Sequence, residues 1–349
     1  MTERVIRLSP AEYINEDGIL KNLDVILDNH GYHKAVVFTD RTVKDIIVDY
    51  LPDGFLHSHP VEFFNGSATE DEIYRLNFLF KSFDVLIAFG GGQLMDTAKV
   101  VADNLRIPLI NVPTLPSNCA AITTKSILYS EDTHEMVGAH RQNQAVTLVL
   151  LEPEILKNAP YEYILSGIGD TLAKYYEIRL RLTQEKLGLI SAAVGKQFLE
   201  ICRQEMLKVT DVSSLSGQAL TNFLDTIFLV AASVDGVADL DGRSVAAHAF
   251  YNAYIKFHKG TKKTHGEVVA LGILFQLYLE GDQADLLNEL TVYYKKVGLP
   301  LTLSDVYLDK EELESIADYI VEPEDIRVQS IFPNITKEEA LSALLSLES

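Results

Sequence analysis

Four short apolar runs in the first 151 residues lack the polar–apolar alternation of a half-exposed strand, and this limits the possible folds most. They are Lys34-Ala-Val-Val-Phe38, Asp84-Val-Leu-Ile-Ala-Phe89, Leu109-Ile-Asn-Val-Pro113 and Val146-Thr-Leu-Val-Leu-Leu151. Strands buried on both faces read this way, and they belong to parallel sheets covered by helices. Parallel neighbours need long crossovers. The segments 40–50, 69–82 and 93–105 are polar and long enough to supply them as helices. The first half is therefore expected to be an α/β domain with a parallel sheet.

After Glu152-Pro153 the pattern changes. Long amphipathic stretches occupy 161–181, 185–208, 215–238, 241–257, 265–281 and 283–297, with no proline between Pro160 and Pro300. Without strand-and-turn punctuation this half reads as all-α. A length of 349 residues suits two domains. The expected division is 1–157 and 158–349, because Asn158-Ala-Pro160 resembles a helix entry.

Thirty Lys and Arg face 50 Asp and Glu, a formal net charge of −20. That field repels a polyanion and argues against a nucleic-acid partner. No run of about 18 apolar residues suggests a membrane span. The polar start Met1-Thr2-Glu3-Arg4 lacks a signal-like core, and two cysteines, Cys119 and Cys202, cannot make a disulfide framework. A cytoplasmic protein with a small-molecule partner is the expectation.

Two features point to a cofactor. Phe89-Gly-Gly-Gly92 closes an expected strand and opens an expected helix. Glycines let a ligand approach the backbone, and a helix N-terminus favours anions, so the loop suits a pyrophosphate. A tight strand-to-helix turn would explain the same glycines, and the spacing is not G-x-G-x-x-G. Asp40 follows the first strand. It is placed either to accept hydrogen bonds from an adenosine ribose or simply to cap the next helix.

In the helical half, Asp170, His248 and His265 lie 78 and 17 residues apart. One carboxylate and two imidazoles form an O/N/N set suited to Zn²⁺ or Fe²⁺, provided folding brings them together. Taken singly, each histidine reads equally well as a buried or helix-start residue.

In this order, Gly90-Gly-Gly-x-x-x-Asp96-x-Ala-Lys99, Val112-Pro-Thr114, Gly167-Ile-Gly-Asp170-x-Leu-Ala and the two histidine segments resemble the iron-containing alcohol dehydrogenase and glycerol dehydrogenase superfamily. The resemblance spans nearly the whole chain. It implies a Rossmann-like N-terminal domain, a helical C-terminal domain (the dehydroquinate synthase-like fold), a cleft for NAD(P) and a divalent metal, and a homo-oligomer. It assigns Asp170, His248 and His265 to the metal, and Gly91 and Gly92 to the pyrophosphate. Asp96, Thr114, Ser117, Thr123 and Tyr129 then flank the cofactor, and Asp40 favours NAD over NADP.

Two positions depart from common patterns. Iron-dependent members place a fourth ligand, a histidine, four residues after the aspartate, where this chain has Lys174. Three ligands and zinc are therefore expected rather than iron. Glycerol dehydrogenases carry an aspartate at the place of Cys119, facing the polyol. Cys119-Ala-Ala, Leu151-Glu-Pro-Glu-Ile-Leu and Gly167-Ile-Gly-Asp-Thr-Leu-Ala-Lys174 look closer to the hydroxycarboxylate dehydrogenase branch. Lys174 then gains a role in pairing with a substrate carboxylate, unless it pairs with Glu177 on its own helix. Cys119 is either a substrate contact or a small packing residue. The implied activity is metal-dependent NAD(H) oxidoreduction between a small alcohol or 2-hydroxy acid and its carbonyl form. The alternatives are a glycerol (polyol) dehydrogenase and a dehydroquinate-synthase-like lyase.

Overall fold

The computed structural model describes residues 5–132, 135–182, 188–322 and 326–348. Its contacts form two compact units, one of residues 7–159 with 216–236, the other chiefly of 160–215 with 237–348.

The first unit alternates strands and helices: β1 (Glu12–Asn15), α1 (Leu23–His30), β2 (Ala35–Thr39), α2 (Arg41–Ile47), α3 (Phe55–Ser58), β3 (Val61–Phe63), α4 (Glu70–Leu79), β4 (Val85–Gly90), α5 (Gly92–Leu105) and β5 (Leu109–Pro113). Next come β6 (Lys125–Tyr129), β7 (Met136–Arg141), β8 (Leu148–Leu151) and α6 (Pro153–Lys157). Six strands form a parallel sheet in the order β1-β8-β5-β4-β2-β3. Every residue of β2, β4, β5 and β8 is buried, as continuous apolar runs require. Val37, Ile87, Ile110 and Leu148 form part of one core with Leu23, Leu27 and Ile47 from the helices on that face.

Two strands of this sheet leave no apolar run in the sequence. Both β1 and β3 are edge strands of three or four partly exposed residues, so neither needs apolar side chains on both faces. The antiparallel β6–β7 hairpin was likewise not foreseen; its strands are only partly covered.

The chain leaves β2 for β3 on one side, then returns across to β4 on the other. This reversal is a topological switch point, where ligands of open α/β sheets bind beyond the strand C-termini. Thr39 pairs with Phe89, and Gly90 with Pro113. Asp40, the glycine loop and Thr114 therefore leave the sheet side by side.

Later in the chain a continuous helix, Gly217–Ala238, joins this unit; it consists of α9 (Gly217–Asp225), a π-turn (Thr226–Val230) and α10 (Ala231–Ala238). Its length and mean hydropathy of 1.4 would pass for a membrane span, yet 56% of the window is buried within the protein and Asp225 and Asp235 interrupt it. Tyr13 Oη and Asn15 Nδ2 of β1 donate to Asp225 Oδ1 at 2.7 and 2.8 Å. These part-buried polar contacts lie within the sheet unit, with which 216–236 groups, although a single cut by sequence texture places it with the helices.

The second unit contains α7 (Tyr161–Ile178), α8 (Ile190–Lys208), α11 (Ala246–Phe257), α12 (His265–Glu280), α13 (Ala284–Val297), α14 (Leu313–Ile320), α15 (Ile326–Gln329) and α16 (Lys337–Leu345). The expected stretch from 185 begins at Ile190, with residues 183–187 outside the described ones. The α7 and α12 backbones touch. A Cβ on Gly266 would lie 1.7 Å from Ser166 O, and one on Gly169 would lie 2.1 Å from Gly266 O. Where α11 crosses α12, a Cβ on Gly272 would lie 2.6 Å from Ala247 O. Only glycine permits such approaches, and each crossing lies within a turn of a candidate ligand.

Candidate active site

In the sheet unit, α5 begins at Gly92 with Gly91 as its N-cap and no side-chain cap. Its first N–H groups therefore lack intrahelical partners. A Cβ on Gly91 would meet Leu115 at 3.2 Å, and one on Gly92 the Asn118 amide at 3.0 Å. The Thr114 amide donates to Gly90 O at 3.0 Å, while the buried Thr114 Oγ1 has no hydrogen-bond partner among the described residues. Glycines that add no side chain of their own, N–H donors at a helix start and an orphan hydroxyl fit a dinucleotide's phosphates.

Asp40 both caps α2, its Oδ1 accepting from Val43 N at 2.8 Å, and flanks this loop. Arg41 lies over the Phe63 ring at 4.5 Å. The other expected cofactor residues divide. Ser117 is buried beside Thr114 on the same loop. Asp96 turns inward: it is 6% exposed, ion-paired with Lys99 at 2.9 Å, and accepts from Ile127 N at 3.1 Å. Burial raises its pKa against the opposing pull of Lys99. Thr123 Oγ1 is occupied by Lys99 Nζ (3.2 Å) and Lys125 O (3.1 Å). Tyr129 sits on β6, its amide bonded to Ala68 O. Asp96 and Thr123 thus anchor the hairpin to α5, because a buried lysine demands all its acceptors nearby.

In the helical unit, Asp170, His248 and His265 come together with their ligand atoms within 4.8 Å of one another. Asp170 Oδ1 lies 3.3 Å from His248 Nε2 and 3.4 Å from His265 Nε2. Tetrahedral ligands about 2.1 Å from zinc stand about 3.4 Å apart, so the set fits one ion. Asp170 comes from the middle of α7, His248 from the first turn of α11, and His265 opens α12 within a Thr264–Glu267 capping box. The Tyr251 ring packs edge-on against His265 at 4.3 Å.

Burial disfavours charge on Asp170, but Lys174 and the two histidines outweigh it and hold its pKa well below the usual range. Burial likewise opposes a charged His248, yet Glu177 and Asp170 push its pKa up to about 9. For His265 burial prevails, and its pKa falls. The His248 ring thus lies between two carboxylates, with Nε2 toward Asp170 and Nδ1 toward Glu177, and a cation can take the place of a proton on Nε2.

Residues 10–153 match the family model described as iron-containing alcohol dehydrogenase. Hydroxycarboxylate dehydrogenase A of Escherichia coli strain K12 is 32% identical over 329 residues, covering 90% of each chain. The chain belongs to the iron-containing alcohol dehydrogenase family. The glycerol dehydrogenase of Thermotoga maritima is 28% identical over 319 residues, covering 88% of this chain and 87% of its own. In fold, the crystal structure of a probable glycerol dehydrogenase from Sinorhizobium meliloti 1021 superimposes with a TM-score of 0.81 at 23% identity, covering 99% and 98% of the two chains. With such relatives the protein is an oxidoreductase of small alcohols, and the expected α/β-then-helical architecture is the family's.

Two residues weighed in the sequence analysis, Cys119 and Glu177, have defined surroundings. Cys119 is buried, and its carbonyl turns the loop by accepting from Ile122 and Thr123 N. Glu177 is not reserved for Lys174. It is 1% exposed at its side chain and bonds His248. Glu177 stands seven residues after Asp170, two turns along one helix face, and that spacing was the available signal.

Proposed function

We propose that this family member interconverts 2-hydroxy acids and 2-oxo acids with NAD(H), using a divalent ion held by Asp170, His248 and His265. The convergence of these three side chains from three helices carries the reading. When bound, NAD exchanges a hydride with the substrate and the ion polarises the substrate oxygen. The residues supply the rest. Gly91, Gly92 and Thr114 hold the phosphates, and Asp40 accepts from the ribose. Three ligands, with Lys174 where a fourth would stand, favour zinc over iron.

Lys174 lies one helical turn beyond Asp170, is half-buried, and its charge is felt by both Asp170 and His265. A cation held there complements a substrate carboxylate, which a polyol lacks. Cys119 in place of an acceptor further disfavours a polyol. Steady-state NADH oxidation with added Zn²⁺ should therefore be faster with 2-oxo acids than with dihydroxyacetone; the reverse order would make the enzyme a polyol dehydrogenase. Lys174→Met should raise KM for 2-oxo acids roughly 10–100-fold, the worth of a charge-assisted hydrogen bond. Turnover of simple aldehydes and the metal content should change little. An equal loss on aldehydes would remove Lys174 from carboxylate recognition.

NAD preference is tested at Asp40. Asp40→Ser keeps an N-cap for α2 but removes the charge that repels a 2′-phosphate. The ratio of kcat/KM for NADP over NAD should rise roughly tenfold or more. An unchanged ratio would show that Asp40 only caps the helix.

A further inference from the structure

We propose that Glu177 is a positioning residue that fixes His248 with its proton on Nδ1, so that Nε2 faces the metal as a lone pair. The inference rests on the metal reading of the triad and goes beyond its ligands. Glu177 Oε2 lies 2.5 Å from His248 Nδ1, and Glu177 Oε1 accepts the backbone N–H groups of Val245 and His248 at 2.8 and 3.0 Å. An ionised carboxylate only accepts hydrogen bonds, so Nδ1 must donate. Nε2, on the far side of the ring, then points toward Asp170 Oδ1.

The same carboxylate seats the helix that carries the ring. α11 starts after Val245, which has no side chain able to cap it. Glu177 caps that end from α7, where a negative charge also complements the helix dipole. Gln276 Oε1 takes the adjacent Ala246 N–H at 3.1 Å. One side chain thus sets both the position of the ligand's backbone and the orientation of its ring. Partners of this kind typically contribute 10–100-fold to metal affinity.

Glu177→Gln separates the two roles. The glutamine carbonyl still accepts the backbone N–H groups, but its NH₂ now faces Nδ1, which must accept, so the proton moves to Nε2 and blocks the ligand. We expect the Zn²⁺ Kd, measured on the full chain by competition with a chromophoric chelator, to rise 10–100-fold. The melting temperature of the metal-free protein should fall only slightly. A Kd within about threefold of wild type would overturn the proposal. If E177Q fails to fold, ¹⁵N-histidine NMR of zinc-loaded wild-type enzyme decides: His248 must carry its proton on Nδ1 and the metal on Nε2, and the opposite arrangement overturns the role. Wild type that takes up no zinc would overturn the function reading together with this one. Equal uptake by wild type and E177Q would overturn this inference alone.

Discussion

His265→Ala and His248→Ala should both abolish metal uptake and reduce NAD-linked turnover by at least about 10³-fold, yet only the second should unsettle the fold. The common loss follows from the triad, because removing a ligand removes the polarising ion, and several kcal/mol of transition-state stabilisation with it. The difference follows from the neighbours. His248 stands between two buried carboxylates, Asp170 at 3.3 Å and Glu177 at 2.5 Å. Alanine there leaves two buried carboxylates without the cationic partner they share, and breaking such a buried pair costs up to about 3–5 kcal/mol. His265 is ion-paired with Asp170, which keeps His248 and the Lys174 charge as partners. Metal analysis and melting of the chelated proteins would check both halves. A metal-free His265→Ala enzyme with full turnover would reject the ion's role. Equal melting temperatures for the two variants would reject the bridging role of His248.

How far the sequence foretold this site depended on the kind of interaction. Asp170, His248 and His265 were identifiable because ordered motifs tied them to a family. Their partners were not. Glu177 is one acidic residue among many in a chain with 50 Asp and Glu, and its target lies 71 residues away on another helix. Asp96 shows the converse. It belongs to the glycine-loop motif, yet its carboxylate faces Lys99 and the hairpin, because α5 turns that side inward. A motif marks which residues recur together, whereas only tertiary packing shows which of them meet a ligand.

The fold was legible where burial is two-sided. β2, β4, β5 and β8 are central strands, and each is a continuous apolar run. The edge strands β1 and β3 leave no such trace. The helix Gly217–Ala238 was recognisable as a helix, but nothing in its periodicity shows that it groups with the sheet unit, where Asp225 reaches Tyr13 and Asn15, more than 200 residues away. Periodicity reports which face of a helix is apolar; it does not report what covers it.

The glycines at the helix crossings were invisible for the same reason, and they carry the second large effect. Gly266→Ala would place a methyl carbon 1.7 Å from Ser166 O, more than an ångström closer than any real contact allows. Backbone cannot swing aside as a long side chain can, so α7 and α12 must separate. Ser166 Oγ also accepts the Gly266 N–H at 2.9 Å, a buried bond broken by the same movement. Overpacking costs about 1–3 kcal/mol or more. The melting temperature should therefore drop by roughly 2–4 °C or more. Metal affinity should fall with it, because Asp170 follows Ser166 by one turn of α7 and His265 directly precedes Gly266, so separating the helices pulls two ligands apart. Gly138→Ala supplies the control: its Cβ would meet nothing within 4 Å, and both quantities should stay at wild-type values. A Gly266→Ala protein that melted normally and bound zinc normally would mean the two helices do not cross this closely, and the triad would need another way of coming together.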